Sequence, residues 1–408
     1  MATVILQGTL DTKAPDCEWL ISRLREQGVS TITVDVGSFS DSSLADFTSD
    51  EVILAAGEDP KVLRERKNRG EMMRIMGIGA AEIVRKLVKE RKADGFLAFG
   101  GSGGSSVAAP VMQALPIGFP KLLVSTMASG NVGPYVGGVD ATLMYSVVDV
   151  AGINQVSELV LGNAVAAIAG MAKHYEKESE SLDSSGQKPV VAVSMFGLTT
   201  KAAEEAHSRL EELGYEVLVF HATGAGGTSM EKLAESGFLA GICDLTTTEL
   251  CDDLAGGILS AGPERLEMAG KLGIPQVVSL GALDMVNFGP KETVPETYKD
   301  RQFVVHNPTI TLMRTSAEEN AELGRRIGKK LGQAKGPTEV FIPLKGFSGI
   351  DIEGGPFWDP QADEAAIREL NTSLAESRVK IHELDCHIND DGFGASMADA
   401  LHRLITEK

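Results

Sequence analysis

Gly100, Gly101, Gly103 and Gly104, with Ser102, Ser105 and Ser106 among them, occupy the run FGGSGGSSVAAP between an apolar stretch and a helix-like one. Glycine lets a backbone turn tightly and expose its N–H groups, and a following helix adds partial positive charge at its first turn. Phosphate is the natural guest of such a turn. The run has neither the G-x-G-x-x-G spacing of a dinucleotide turn nor the G-K-[ST] of a Walker loop. The residues alone therefore leave two uses open, anion binding and a tight connection without ligand. Two further polar stretches follow apolar runs. GTLDTK carries Gly8, Thr9, Asp11, Thr12 and Lys13, and VSTMASGN carries Thr126, Ser129, Gly130 and Asn131. If the three apolar runs are neighbouring parallel strands, their ends converge on one crevice. Lys13, or Arg66, Lys67 and Arg69 of RERKNR, would supply the cation; the basic run reads equally as a solvated helix face.

A second set of residues suits proton transfer. HATGAGGTSMEKL holds His221, Thr223, Gly224, Gly226 and Gly227, and CDLTTTEL holds Asp244, Thr246, Thr247 and Glu249. SLGALDMVNFGP adds Asp284 and Asn287, and VVHNP adds His306 and Asn307. Histidines and carboxylates beside a glycine-rich anion cradle are what acid–base chemistry on a phosphorylated or carboxylated substrate requires. His221, Asp244, Glu249 and His306 are the candidate catalytic groups, and the others are candidate substrate contacts. Bland alternatives stand beside them: a capping box of Thr246 with Glu249, and histidines satisfied structurally. Asp385 and His387 alternate near the end of the chain, but two ligands are too few for a metal site, and none is expected. No G-x-S-x-G nucleophile elbow occurs.

The elements that must position these residues are announced by a repeat. VILQGTLDTK near Val4 is echoed by VVAVSMFGLTTK near Val190, SRLREQG by SRLEELG, GFLA at Gly95 by GFLA at Gly237, and FPKLLVS by IPQVVSL. Four matched segments in one order indicate a duplicated α/β unit. Short β-rich runs alternate with helical spacing in both copies, which predicts parallel sheets covered by helices on both faces. Two doubly wound, Rossmann-like domains are expected, at residues 1–178 and 188–408. Glu176 to Lys188, polar and without apolar period, reads as their linker. Asp59 to Arg91 reads as an insertion absent from the second copy, and late runs such as QFVVHN read as further growth of the second sheet.

The chain has 408 residues, 43% hydrophobic and 23% charged, and a formal charge of −19. The acidic balance disfavours nucleic acid as a partner, because phosphate contacts need a basic face. The four cysteines lack CxxC spacing and read as reduced, unpaired thiols. LVLGNAVAAIAGMA from Leu159 is short for a membrane span and reads as a buried helix. No leader pattern follows Met1. A cytoplasmic protein without membrane or nucleic-acid partners is the expectation.

FGGSGGSS, STMASGN, HATGAGGTSME, DLTTTEL, PQVVSLGALDMVNFGP, HNPTITLMRT, GGPFWDP and LDCHINDDGFG together resemble the ATP-binding family named after the tomato mosaic virus resistance protein. The resemblance implies two Rossmann-like subdomains, ATP with Mg2+ in the first, and a homodimer. It would place phosphate binding on Gly100 to Ser106, with Gly8 to Lys13 and Ser129 to Asn131 nearby. The expected function is that of a cytosolic ATP-binding protein, an enzyme acting on a small anionic metabolite. The rival is a non-catalytic, nucleotide-dependent regulatory module. A nicotinamide-dependent oxidoreductase is disfavoured, because no acidic residue follows a G-x-G-x-x-G turn in the required βαβ setting.

Overall fold

The apolar runs of the first copy fold as strands whose alternate residues face opposite helix layers. A computed structural model describes residues 1–181 and 188–407. It runs β1 (Thr3–Gly8), α1 (Leu10–Glu26), β2 (Ser30–Asp35), α2 (Ser49–Ala55), α3 (Pro60–Glu65) and α4 (Arg69–Lys89). Then come β3 (Gly95–Gly100), α5 (Ser102–Ala114), β4 (Lys121–Ser125), α6 (Gly133–Val136), β5 (Thr142–Tyr145) and α7 (Gln155–Ser181). The five strands pair in parallel in the order β2-β1-β3-β4-β5. Ile5, Phe96 and Leu123 pack with Val52, Ile75 and Val107 on one face, while Leu6, Leu97 and Val124 pack with Leu20 and Ile168 on the other. Every residue of β3 is buried, as a central strand covered on both sides must be.

The second copy continues with β6 (Val190–Met195), α8 (Thr200–Glu212), β7 (Glu216–His221), α9 (Ala225–Glu235), β8 (Gly241–Thr246), α10 (Glu249–Ala255) and α11 (Met268–Leu272). β9 (Gln276–Gly281), β10 (Met285–Phe288), β11 (Phe303–Asn307), β12 (Ile310–Arg314) and α12 (Ala317–Gly332) follow. The chain closes with β13 (Thr338–Pro343), α13 (Pro360–Leu374), β14 (Lys380–Leu384) and α14 (Phe393–Thr406). Its parallel sheet has the order β14-β13-β9-β8-β6-β7. Counted within each copy, both sheets read 2-1-3-4-5, and the second adds a sixth strand. The repeat seen in sequence is therefore a repeat of topology. The chain divides into two compact units at residues 185 and 186.

Three expectations are corrected. Asp59 to Arg91 is an unmatched insertion only in part: α4 is the crossover from β2 to β3, the place that α9 holds between β7 and β8, while α3 has no counterpart there. QFVVHN does not extend the parallel sheet, because β11 pairs antiparallel with β12 in a separate three-stranded sheet, β10-β12-β11. Glu176 to Ser181 of the expected linker is the end of α7, and residues 182–187 lie outside the described residues.

α7 also differs from the buried helix expected. Leu161, Ala164, Val165, Ile168, Ala169 and Ala172 bury one face on the sheet, while Val156 and Leu159 are exposed, Leu159 at 71%. Gln155–Glu178 is long and apolar enough to cross a membrane by length and composition. Its inward face is spent on the sheet.

Candidate functional site

A sheet of order 2-1-3-4-5 has one place where neighbouring strands send their helices to opposite faces, between strands 1 and 3, and ligands bind in the crevice that opens there. In the first unit this is the gap between the ends of β1 and β3. A cavity of about 670 Å³ lies there. Thr9, Asp11, Thr12 and Lys13 line it from the end of β1, and Gly100 to Gly104 line it from the end of β3.

The glycine turn works by its backbone. Gly100 adopts φ +151°, and Gly101 caps α5. The first intrahelical bond runs from Ser105 N–H to the Gly101 carbonyl, so the N–H groups of Ser102, Gly103 and Gly104 precede it and have no helical partner. A Cβ placed on Gly103 would stand 3.3 Å from Met73 Cε and 3.7 Å from Arg69 Nη2. The turn, the start of α4 and the cation it carries thus meet at one point.

The basic run divides. Arg64 is tied to Asp50 at 2.6 Å and donates to the Ser38 carbonyl; Arg66 is tied to Glu58 and Glu71 and does not line the cavity. Lys67 and Arg69 do line it, and neither makes an ion pair or side-chain hydrogen bond with any described residue. Lys13 lines it too, with its ammonium donating to the Val150 carbonyl. In a chain of charge −19, two uncompensated cations beside unpaired helix N–H groups make a local field for an anion.

Other expected contacts fall elsewhere. Gly8 is buried against Phe99, where a Cβ would stand 3.2 Å from the ring. Ser105 is fully buried, its hydroxyl donating to the Gly101 carbonyl and sharing a 2.6 Å hydrogen bond with Ser125. Ser106 donates to the Gly103 carbonyl. Thr126 Oγ1 lies 3.7 Å from where a Gly101 Cβ would be, just behind the turn. Ser129, Gly130 and Asn131 are exposed and off the cavity, with Asn131 accepting from Gly133 N–H.

The corresponding place in the second unit is filled by the chain itself. Glu249 Oε1 accepts from the N–H groups of Gly224 and Gly227 at 2.7 and 3.0 Å, so the glycine-rich cradle of α9 already holds an anion, the protein's own carboxylate. Glu249 Oε2 accepts from Arg265 Nε, and Asp244 takes both terminal nitrogens of the same guanidinium. Glu231 closes the set at 3.3 Å. Burial disfavours the Arg265 charge, but Asp244, Glu249 and Glu231 outweigh it and hold its pKa above the ordinary arginine value.

Asp244 and Glu249 are accordingly not free acid or base groups: both are buried and bonded to Arg265. The capping box does not form either, since Thr246 hydrogen-bonds to Thr199 at 2.7 Å and Thr248 precedes α10 without a side-chain cap. Thr247 donates to the Ser279 carbonyl, and Asn287 Nδ2 donates to Asp252. Asp284 is fully buried and accepts from Ser348. Thr223 donates to the His221 carbonyl, and Gly226 packs so that a Cβ would strike that same carbonyl. His306 and Asn307 are exposed on the β11–β12 hairpin, whose Val304 and Ile310 pack with Phe196 and Leu198 just beyond the end of β6; Asn307 accepts from Thr309. His221 alone of the four candidate acid–base groups is exposed at a parallel strand end, stacked on Phe196 with ring centroids 5.8 Å apart. Asp385 and His387 part company, the first exposed and paired with Lys345, the second buried with Nε2 donating to the Ser348 carbonyl.

The model of the uncharacterised protein family UPF0261 N-terminal domain matches residues 2–177, and that of its C-terminal domain matches residues 188–405. The chain belongs to the UPF0261 family. A UPF0261 protein of Clostridium tetani is 47% identical, with 98% of both chains covered. The ToMV resistance protein of Solanum lycopersicum is 37% identical over 96% of this chain and 54% of its own length. Among solved structures, a UDP-N-acetylglucosamine 2-epimerase from Rickettsia bellii covers 100% of this chain and 95% of its own, at 11% identity and a TM-score of 0.22.

Several residues at the UPF0261 site escape sequence reasoning. Phe39, Met72, Met73, Met76 and Asp149 line the cavity, yet none stands in a glycine-rich or charged run. The signal for the methionines is their spacing, i, i+1 and i+4, in the helical stretch that follows the basic run. Arg265, in GPERLEMAG, carries no signal at all.

Proposed function

We propose that this protein binds ATP in the first-unit cavity and acts as an enzyme on a small anionic metabolite in the cytoplasm. The observation that carries the nucleotide reading is the conjunction at one switch point: unpaired helix N–H groups, a cavity of about 670 Å³, and Lys67 and Arg69 without partners. A cavity of that size suits a nucleotide better than a single phosphate. The donor set also fits Mg2+. Asp11 and Asp149 offer carboxylates, and Thr9 and Thr12 hydroxyls, all hard oxygen ligands lining the same cavity. Bound there with the phosphates, the metal would screen their charge from those two carboxylates.

Gly103→Val tests the site. Its side chain would enter the space between Met73 and Arg69 without backbone strain, since the φ of Gly103 is not positive. Mg-ATP affinity by calorimetry should fall at least tenfold while thermal unfolding stays within a few degrees. Lys67→Ala with Arg69→Ala should weaken binding by about ten- to a hundredfold, with an affinity less sensitive to salt. Unchanged affinity in both folded variants would place the nucleotide elsewhere.

The engagement of Asp244 and Glu249 by Arg265 favours a second reading, a nucleotide-dependent regulatory module without turnover. Phosphate release stimulated by a metabolite decides for the enzyme, and tight ATP binding without release decides for the module. Self-association is proposed through the outward face of α7. Leu159→Glu should convert a dimer to a monomer in sedimentation, and an unaffected dimer would exclude that face.

A further inference from the structure

We propose that the apolar end of the first-unit cavity is a nucleobase subsite with the Phe39 ring as its stacking face. The inference rests on the phosphate-binding reading above and assigns what that reading leaves over. The lining divides by chemistry. The glycine turn, Lys67 and Arg69 offer N–H donors and positive charge, whereas Met72, Met73 and Met76 offer thioethers and methylenes. A bare phosphate ester has no use for the second wall.

The two walls meet at the turn, because the space beside Gly103 is bounded by Met73 Cε at 3.3 Å and Arg69 Nη2 at 3.7 Å. A ligand whose phosphates lie on the N–H groups of the turn therefore has the Met73 thioether beside it, and Met72 and Met76 line the same cavity. Phe39 completes that region. It lines the cavity from the loop after β2, and the residue is 69% exposed. Its backbone N–H reaches Asp11 Oδ2 at 3.4 Å, which ties the loop to the mouth of β1. An isolated exposed phenylalanine needs no explanation, but one that lines the same cavity as three methionines and two free cations offers a π surface to the same ligand. Base–aromatic stacking tolerates any base, and methionine adapts to the shape of what it touches. The ligand class is a nucleoside polyphosphate, its base held by stacking and its phosphates by the turn.

The test compares Mg-ATP with inorganic tripolyphosphate, by calorimetry, on the full chain and on Phe39→Ala and Phe39→Trp. Because the residue is mostly exposed, both variants should fold, and thermal unfolding should match the parent. Phe39→Ala is expected to lose about tenfold in ATP affinity and nothing in tripolyphosphate affinity, and Phe39→Trp to restore ATP binding. If the parent binds tripolyphosphate as tightly as ATP, the base subsite is wrong while the phosphate site stands. If Phe39→Ala weakens both ligands equally, the ring merely positions the loop, and the proposal falls. If the parent binds neither, the phosphate-binding reading fails first and takes the subsite with it.

Discussion

Arg265→Ala is expected to lower the unfolding free energy of the second unit by roughly 3–5 kcal/mol, the usual cost of removing one partner from a buried ion pair. The guanidinium is 1% exposed and is the shared partner of Asp244, Glu249 and Glu231. Its loss leaves carboxylates in the protein interior with too few donors. Asp244 would keep only the Ser194 hydroxyl, at 2.7 Å. Glu249 would keep the two N–H groups at the start of α9. Against a total stability of about 5–15 kcal/mol for an ordinary domain, the loss unfolds a large share of the molecules on modest heating. Arg265→Lys retains a charge but cannot span three carboxylates with one ammonium, so it should fall between parent and alanine variant. Calorimetric scans should show the second unit's transition move down and the first unit's transition stay. A variant that melts with the parent would mean that the cluster is solvated and that Asp244 and Glu249 are available to a ligand after all.

That cluster also explains what was legible in the sequence and what was not. The duplication, the alternation of elements and the parallel sheets follow from local pattern, because apolar runs such as GFLAFG form central strands buried on both faces, although the second GFLA, at Gly237, ends just before β8 and leaves Phe238 50% exposed. The glycine turn after β3 and the polar end of β1 reach the cavity for the same reason: strand ends and helix starts are fixed by the fold class. The second unit misleads at this same level. HATGAGGTSMEKL and CDLTTTEL look like ligand-facing motifs, and locally they are an anion cradle and an anion, but they satisfy each other across 25 residues. Only a long-range contact reveals the match, and no spacing rule contains it. Arg265 is the missing third party, and nothing in its surroundings marks it. Burial likewise separates Ser105 from Ser102 within one short run, since the helical turn sends the first toward Ser125 and leaves the second at the surface.

A second polar core in the same unit gives the remaining large effect, a fall in stability as pH rises. Asp284, Asp351 and Asp363 surround the single guanidinium of Arg314, with Asp363 at 2.6 Å and Asp351 at 3.8 Å. Asp284 Oδ1 and Asp351 Oδ1 are buried without a hydrogen-bond partner. Burial pushes Asp284 up to about 7 and Asp363 up to about 8, and the charge of Asp351 adds to both shifts; burial raises Asp351 as well. His387, Cys251, Glu319 and Arg301 are further titratable groups near the cluster, and His387 donates from Nε2 to the Ser348 carbonyl and accepts at Nδ1 from Asn389 N–H. An aspartate whose folded pKa lies above its unfolded value keeps a proton that the unfolded chain has released. Its stabilising effect is complete below about pH 4 and is lost as pH rises through 7 to 8. Each such group costs roughly 1.4 kcal/mol per pH unit over that window. The melting temperature of the second unit should therefore drop from pH 5 to about pH 8 and level off above it. Asp284→Asn removes one of the titrations and keeps an acceptor for the Ser348 hydroxyl at 2.8 Å, while its amide N–H can face a neighbouring carboxylate. The variant should match the parent near pH 5 and melt several degrees above it at pH 9. Parallel curves for the two proteins across that range would show that Asp284 is charged throughout, and that the excess negative charge of this core is neutralised by something other than protons.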